Sequence, residues 1–195
     1  MRIIAGQHRG LRLAEVGEGD AAAALRPTSD RLRETLFNLL EGGRYGAPLR
    51  GAVVLDLFAG TGALGLEALS RGAGSALFVE NGRVGQRLIR DNLGRARRGA
   101  EARLLAADAT ALPANAGEAA TLVFLDPPYG RALGAAALAS ARAGGWLAPD
   151  ALVLWEEAAP QPAPPGFTLA EHRKVGVAHV TFLRAAGREV PGAPG

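Results

Sequence analysis

The sequence predicts one doubly wound α/β domain with a mostly parallel sheet, and three patterns support this prediction. Short apolar segments rich in Val, Leu and Phe alternate with helical segments through the middle of the chain. A G-x-G-x-x-G pattern, Gly60, Gly62 and Gly65, lies between the first of these strands and the next helix. Two strands near the end have no long helix between them, so they are expected to be antiparallel neighbours.

The individual elements are predicted from apolar periodicity, helix caps and turn residues. Strands are expected near residues 52–57, 75–80, 103–107, 121–125, 151–156, 168–174 and 177–184. Helices are expected near residues 63–71, 83–98 and 131–143. The sheet is therefore expected to have seven strands, mostly parallel, with one antiparallel hairpin at its edge.

The segment before the first strand of this sheet has its own turn and cap signals. Residues 2–5 and 10–13 suggest a small hairpin around two glycines. Thr28 or Ser29 is expected to cap a helix that ends at Gly42-Gly43. The residues expected to be buried by this helix are Leu32, Leu36, Phe37 and Leu40.

These signals divide the chain of 195 residues into three parts. Residues 1–50 form an amino-terminal extension and residues 51–185 form the α/β domain. Residues 186–195, rich in Ala, Gly and Pro, are expected to be a disordered tail.

Composition excludes several classes of protein. The chain has no cysteine, which excludes disulfides, thiolate zinc sites and a cysteine nucleophile. The histidines at 8, 172 and 179 lack metal-ligand spacing, so no metal is expected. No apolar run approaches the roughly 20 residues that span a bilayer, and no secretory signal opens the chain. A cytoplasmic monomer without membrane contact is expected.

The glycine pattern and the acids that follow it predict a nucleotide-type ligand. Glycines in this context allow a tight turn and a close approach of a ligand to the backbone. Glu80 ends the next strand, where an acid can bind both ribose hydroxyls, and Asn81 follows it. Asp108 ends the third strand after Ala107 and can accept a hydrogen bond from an adenine amino group. An adenosine-containing cofactor is therefore expected.

Charge distinguishes between two such cofactors. Asp56 lies near the end of the strand that enters the glycine turn. A carboxylate there repels a pyrophosphate but attracts an ammonium and a sulfonium. This favours S-adenosylmethionine over NAD, although Asp56 can also accept backbone N–H groups of the glycine turn.

A second pattern, Asp126-Pro127-Pro128-Tyr129, closes the apolar strand before it. The prolines remove backbone donors, which leaves carbonyl oxygens to accept from an amino group. Asp126 adds an acceptor, and Tyr129 offers a face for stacking on a flat base. These four residues are the predicted catalytic group, acting on a planar ring with an exocyclic NH2. The structural alternatives are helix capping by Asp126 and core packing of Tyr129.

Basic residues are unevenly distributed in a chain whose formal net charge is only +3. The candidates for contacts with nucleic-acid phosphates are Arg2, Arg9, Arg26, Arg31 and Arg33. A second cluster lies on one side of the helix near residues 83–98, opposite Val84, Leu88, Ile89, Leu93 and Ala96. That second cluster is interpreted as a solvated outer face.

These motifs resemble a known family. Asp56-x-Phe58-x-Gly60-x-Gly62, together with Asp126-Pro-Pro-Tyr129, resembles the class I amino-methyltransferases. The block from Leu25 to Leu39 is similar to bacterial ribosomal RNA guanine-N2 methyltransferases of the RsmD type. The resemblance implies a Rossmann-like methyltransferase fold and S-adenosylmethionine as cofactor, with Phe58 near it. It also implies 16S ribosomal RNA as substrate, alone or within the small subunit.

Three alternatives remain open from sequence. An adenine-N6 methyltransferase fits the amino-group chemistry but has no support from the amino-terminal block. An NAD-dependent oxidoreductase fits the glycine pattern but leaves the Asp-Pro-Pro-Tyr motif unexplained. A non-catalytic RNA-binding assembly factor would keep the same residues without turnover.

Overall fold

A computed structural model describes residues 1–15 and 29–187 of the chain. Its helices are α1 (Asp30–Glu41), α2 (Ala63–Ser70), α3 (Arg83–Ala96) and α4 (Leu133–Ala143). Its strands are β1 (Val53–Leu57), β2 (Ser75–Val79), β3 (Ala102–Leu105), β4 (Ala120–Leu125), β5 (Leu147–Glu157), β6 (Phe167–Val175) and β7 (Ala178–Ala185). Residue 28, one of the two predicted caps of α1, and the predicted tail from residue 188 onward lie outside the described residues.

The seven strands form one sheet in the order β3-β2-β1-β4-β5-β7-β6. Strands β1 to β5 pair in parallel, and β7 lies antiparallel between β5 and β6. This confirms the predicted mostly parallel sheet with an antiparallel edge hairpin. The order reverses between β1 and β4, so the carboxyl ends of these two strands flank the crevice where such sheets bind ligands.

Two apolar cores cover the two faces of the sheet. One contains α1, α2 and α3 and includes Phe37, Phe78 and Phe124. The other lies under α4 and includes Leu138 and Trp155. Strands buried on both faces explain the near-continuous apolar runs in the sequence.

Helix α1 follows the cap and burial pattern predicted for it. The Ser29 hydroxyl accepts a hydrogen bond from the Leu32 N–H at 3.2 Å, which satisfies a backbone donor of the first turn. The helix ends before Gly42. The four residues expected to be buried, Leu32, Leu36, Phe37 and Leu40, are all buried.

The amino-terminal hairpin is less regular than predicted. Arg2 and Arg12 form a single antiparallel bridge, and the Ile3 N–H donates to the Leu11 carbonyl at 2.9 Å. A short 3-10 turn at Gly6–His8 replaces regular strand between the two arms. This turn packs closely on α2, because a Cβ on Gly6 would lie 1.9 Å from the Ser70 carbonyl oxygen. We call residues 1–15 the amino-terminal arm.

Strand β5 begins earlier than predicted, at Leu147 instead of residue 151. Its first residues are partly exposed, and Asp150 has a φ of 60°, so no apolar alternation marks them in the sequence. A register shift between Ala120 and Leu122 of β4 accommodates this irregular start. Among the described residues, no helix has both the length and the apolar character needed to cross a bilayer.

Candidate active site

The sheet register brings three predicted site residues to one edge. Leu57 pairs with Val79 of β2 and with Leu125 of β4. The residues that follow these three, Phe58, Glu80 and Asp126, therefore leave adjacent strands at the same level. The glycine turn and the Asp-Pro-Pro-Tyr motif thus lie at neighbouring strand ends, as the sequence predicts.

The glycine turn is closely packed against the core. Gly62 has a φ of 77° and begins α2, a left-handed conformation that L side chains rarely adopt. A Cβ at Gly62 would lie 3.2 Å from a ring carbon of Phe78 and 3.3 Å from Ile89. At Gly65 the added carbon would lie only 2.4 Å from the Phe78 ring. Glycine is needed at both positions to seat α2 on the sheet.

Glu80 connects this turn to the start of α3. Its carboxylate accepts the Gly60 N–H on Oε2 at 2.9 Å and the Gly82 N–H on Oε1 at 2.6 Å. A carboxylate oxygen has two lone-pair positions, so each can hold the loop and also accept a ligand hydroxyl. Glu80 therefore shapes the pocket and stays capable of the predicted ribose contact.

Asp56 is 1% exposed, and its Oδ2 accepts the Gly65 N–H at 2.9 Å. Asp56 therefore accepts a backbone N–H of the glycine turn, which is the structural role that the sequence allowed for it. Burial raises the pKa of Asp56 to about 8, although the hydrogen bond from Gly65 opposes this shift, and the nearby charge of Glu80 adds to it. A cation bound near Asp56 would favour its ionised form.

Asp108, Ala107 and Asn81 lie at the outer side of the predicted pocket. Asp108 is exposed and caps a short 3-10 turn, because its Oδ1 accepts the Thr110 N–H and hydroxyl, each at 2.8 Å. These hydrogen bonds lower the pKa of Asp108 and keep it ionised. Asn81 is exposed and Ala107 partly buried. The adenine contacts predicted for this region stay predictions.

The four residues of the Asp-Pro-Pro-Tyr motif differ in their solvent exposure. Asp126 and Tyr129 are half-buried, Pro127 is buried, and Pro128 is exposed. The Tyr129 hydroxyl donates to Glu156 Oε1 at 2.8 Å, which fixes the outer end of the ring. Tyr129 is therefore anchored through its hydroxyl and is not enclosed in the core.

Glu156 is the site residue that sequence reasoning missed. It ends the apolar part of β5, and Trp155 pairs with Leu125, so Glu156 lies level with Asp126 on the adjacent strand. It is buried and holds Tyr129. The signal was available, because an acid at a strand end had identified Glu80 in the same way.

The arginines predicted to contact RNA separate into two groups. Arg9 and Arg31 are exposed, and the side chain of Arg2 is 69% exposed. Arg26 lies outside the described residues.

Arg33 is a correction, because its side chain is 0% exposed. Its guanidinium donates to the Arg2 carbonyl at 2.8 Å and to Asp30, and it lies 3.9 Å from the buried Glu67 carboxylate. Arg33 shares a helix face with Phe37 and Leu40, which turns it into the protein interior. It is a structural residue, and the expectation of a phosphate contact is wrong.

Comparison with known proteins gives the family. A family model described as "Conserved hypothetical protein 95" matches residues 1–184. "Ribosomal RNA small subunit methyltransferase D" of Escherichia coli strain K12 is 44% identical over 158 residues, which is 80% of this chain and 74% of that protein.

The chain belongs to the RsmD family of methyltransferases.

Other RsmD-family proteins give the same result over nearly the full length. The protein of the same name from Haemophilus influenzae is 34% identical over 183 residues, covering 91% of this chain and 90% of that one. The solved structure of yhhF from Escherichia coli has a TM-score of 0.80 at 35% identity and covers 96% of this chain and 99% of its own. The family and class I methyltransferase fold expected from the sequence motifs are confirmed.

The edge of the sheet in this RsmD-family chain is rich in carboxylates. They are Glu80, Asp108, Asp126 and Glu156, and the buried carboxyl group of Asp56 lies beside them. Such an edge disfavours a pyrophosphate and favours a ligand with cationic groups and a substrate that donates hydrogen bonds. The oxidoreductase alternative loses support for this reason.

Proposed function

We propose that this protein transfers a methyl group from S-adenosylmethionine to the exocyclic N2 of a guanine in small-subunit ribosomal RNA. The observation that carries the proposal is the register of β1 and β4, because it sets Asp126 beside the glycine turn. Transfer requires a donor pocket and an amine-binding group close together, and the strand register supports this by bringing the two motifs to neighbouring strand ends.

The chain's own residues fit S-adenosylmethionine. Glycines allow the methionine part to approach the backbone of the turn closely. A Cβ at Gly62 would press on the buried Phe78 and Ile89 and displace the turn. Glu80 would accept the ribose hydroxyls, Asp108 with Ala107 and Asn81 would line the adenine, and Phe58 would lie against the cofactor. The raised pKa of Asp56 reflects a buried carboxyl that a nearby ammonium would stabilise as a carboxylate. S-adenosylmethionine supplies an electrophilic methyl group when bound.

The amine must be reoriented before it can react, because its lone pair is delocalised into the base. The Asp126 carboxylate and the Pro127 carbonyl would accept the two N–H hydrogens and direct the lone pair toward the glycine turn. Asp126 is then the group that receives the proton lost from nitrogen. Alignment of this kind can supply about 7–11 kcal/mol of the rate enhancement. Tyr129, held by Glu156, would stack on the extruded base.

The RNA substrate is supported by the names of the relatives and by exposed cations on the amino-terminal arm and α1. Arg2, Arg9 and Arg31 are accessible to phosphates. With a net charge of only +3, the protein has limited basic surface. We therefore propose that the small ribosomal subunit, and not free RNA alone, presents the target guanine.

The decisive experiment incubates purified small subunits and naked 16S RNA with labelled S-adenosylmethionine, followed by nucleoside analysis. N2-methylguanosine is expected, mainly from the particle. N6-methyladenosine would move the assignment to the adenine alternative. Calorimetry with NADH tests the oxidoreductase alternative, for which binding of NADH in place of S-adenosylmethionine would be evidence.

The matched test of the mechanism compares two aspartates. Asp126→Ala should reduce methyl transfer by about 10²–10⁴-fold, because the amine loses its acceptor, while cofactor affinity stays within a few-fold. Asp91→Ala changes an exposed carboxylate on the outer side of α3 and should retain activity. Wild-type turnover by Asp126→Ala would remove this residue from the mechanism.

A further inference from the structure

Asn92, in the middle of α3, connects the glycine turn to the amino-terminal arm. Its side chain is 0% exposed. Nδ2 donates to the Thr61 carbonyl at 2.9 Å, and Thr61 lies between the two glycines of the turn. The same amide accepts the Ala14 N–H on Oδ1 at 2.6 Å and donates to the Ala14 carbonyl at 3.3 Å. One side chain therefore holds two segments that are far apart in sequence.

The amino-terminal arm is also fixed on α2, the helix that the glycine turn begins. Glu67, buried on α2, accepts the N–H groups of Ile4 at 2.7 Å and Ala5 at 3.0 Å. The Ser70 hydroxyl donates to the Ala5 carbonyl at 2.6 Å. The arm carrying Arg2 and Arg9 is thus attached at one end to α2 and at the other to Asn92.

Both N–H donors of Asn92 have partners, and its carbonyl oxygen accepts one hydrogen bond. Because the side chain is buried, water cannot replace a lost partner without structural rearrangement. A displacement of Ala14 would leave buried polar groups unpaired and loosen the contact with Thr61. The position of the arm and the position of the turn therefore depend on the same side chain.

We propose that Asn92 is a positioning residue that couples the amino-terminal arm, and RNA bound to it, to the cofactor turn. This inference rests on the proposed function, in which the glycine turn holds S-adenosylmethionine and the arm contacts RNA. Cations on the arm that bind phosphate fix Ala14, which fixes Asn92 and holds Thr61 in place. By thermodynamic reciprocity, cofactor in the turn also strengthens docking of the arm.

The experiment uses two variants on opposite sides of the link. Asn92→Ala removes the bridge itself. Ala14→Pro removes the N–H donor on the arm and touches no residue of the turn. Ala14→Pro is expected to raise the Kd for S-adenosylhomocysteine by roughly fivefold, as expected for one lost hydrogen bond. Asn92→Ala removes all three hydrogen bonds of the side chain and should raise the Kd by at least as much. In the double variant the increase should stay close to that of Asn92→Ala alone, because Asn92→Ala already breaks the link that Ala14→Pro weakens.

A control separates this coupling from loss of stability. Asn115 makes similar hydrogen bonds to Gly117, Glu118 and Gly145. These residues lie near the amino-terminal ends of β4 and β5, away from the glycine turn. Asn115→Ala should lower the melting temperature but leave the Kd within about twofold. Hydrogen–deuterium exchange of the ligand-free protein gives a second readout. Ala14→Pro should speed exchange at residues 60–62 by roughly fivefold or more, and Asn115→Ala should leave it unchanged.

Three results would count against the coupling or its basis. Wild-type Kd values and wild-type exchange in both single variants would overturn it. Increases in Kd that multiply in the double variant would show two independent effects and would also overturn it. Absence of S-adenosylhomocysteine binding by the wild-type protein would refute the proposed function, whereas the exchange measurement would still decide whether the arm and the turn are linked.

Discussion

Replacing Gly65 with alanine tests how the glycine turn is seated on the sheet. A Cβ at this position would lie 2.4 Å from one ring carbon of Phe78 and 2.8 Å from another. Optimal carbon–carbon contacts are about 3.5–4.0 Å, so the groups must separate by roughly 1 Å. Phe78 is completely buried, which leaves little room for its ring to move. Overpacking of this kind costs about 1–3 kcal/mol.

The same substitution disturbs Asp56. The new carbon would lie 3.1 Å from Asp56 Oδ2, the atom that accepts the Gly65 N–H. If α2 moves away from β2 to relieve the contact with Phe78, this hydrogen bond lengthens, and a buried acceptor loses its donor at a cost of about 1–3 kcal/mol. Gly65→Ala should therefore lower the free energy of unfolding by about 2–6 kcal/mol in total.

Urea unfolding followed by tryptophan fluorescence measures this loss. Gly94→Ala is the matched control, because Gly94 also lies within a helix but a Cβ there would have no neighbour within 4 Å. That change should be neutral or stabilising by up to about 1 kcal/mol. Phe78→Leu combined with Gly65→Ala should recover part of the loss, since it removes ring atoms at the contact. Wild-type stability of Gly65→Ala, or no recovery in the double variant, would refute the packing argument.

Four further predictions concern cofactor binding, pH dependence, RNA binding and the buried Arg33. Gly62→Val should abolish binding of S-adenosylhomocysteine in calorimetry, because a branched side chain at a φ of 77° would press on Phe78 and Ile89 and distort the turn; unchanged affinity would contradict the placement of the turn. For Asp56, the folded pKa of about 8 exceeds the unfolded value of 3.8, so the folded protein binds more protons between these pH values. The resulting stability is complete below about pH 4 and is lost as the pH rises to 8, with a slope of up to about 1.4 kcal/mol per pH unit in urea titrations. Asp56→Asn should flatten this slope, and an unaltered slope would exclude Asp56 as its source. Arg31→Ala should reduce the salt dependence of RNA binding by about one unit in a log–log plot, measured by filter binding. Arg33→Ala should instead lower the free energy of unfolding by on the order of 3 kcal/mol. A variant that keeps its stability but shows a smaller salt dependence of RNA binding would contradict the structural role of Arg33.

The amino-terminal arm, which carries proposed RNA contacts, is packed against the helices that hold the glycine turn. In the sequence the arm and the glycine turn are separate motifs, and nothing in their spacing relates them. The fold places the arm along α2 and α3, where Glu67 and Asn92 hold its backbone. The proposed RNA contacts and the proposed cofactor contacts therefore lie on adjoining parts of one packed unit.

Local patterns in the sequence determined the strands of the sheet, the parallel direction of most of them and the strand ends that carry the site. Strand periodicity and the residue that ends each strand are local properties, so Glu80 and Asp126 could be assigned to the same edge without coordinates. The caps of α1 and its buried face were predictable for the same reason. The glycines of the turn were identified by their place between a strand and a helix.

Only the tertiary structure decided which polar side chains are buried and what they hold. Arg31 and Arg33 are equivalent as basic residues in one helix, but the direction of the helix face makes one exposed and the other part of the interior. Glu156 and Asn92 gained their roles from partners at distant positions, Tyr129 and Ala14. The free energy of a buried polar group depends on whether such partners meet it, and packing of the whole chain decides this.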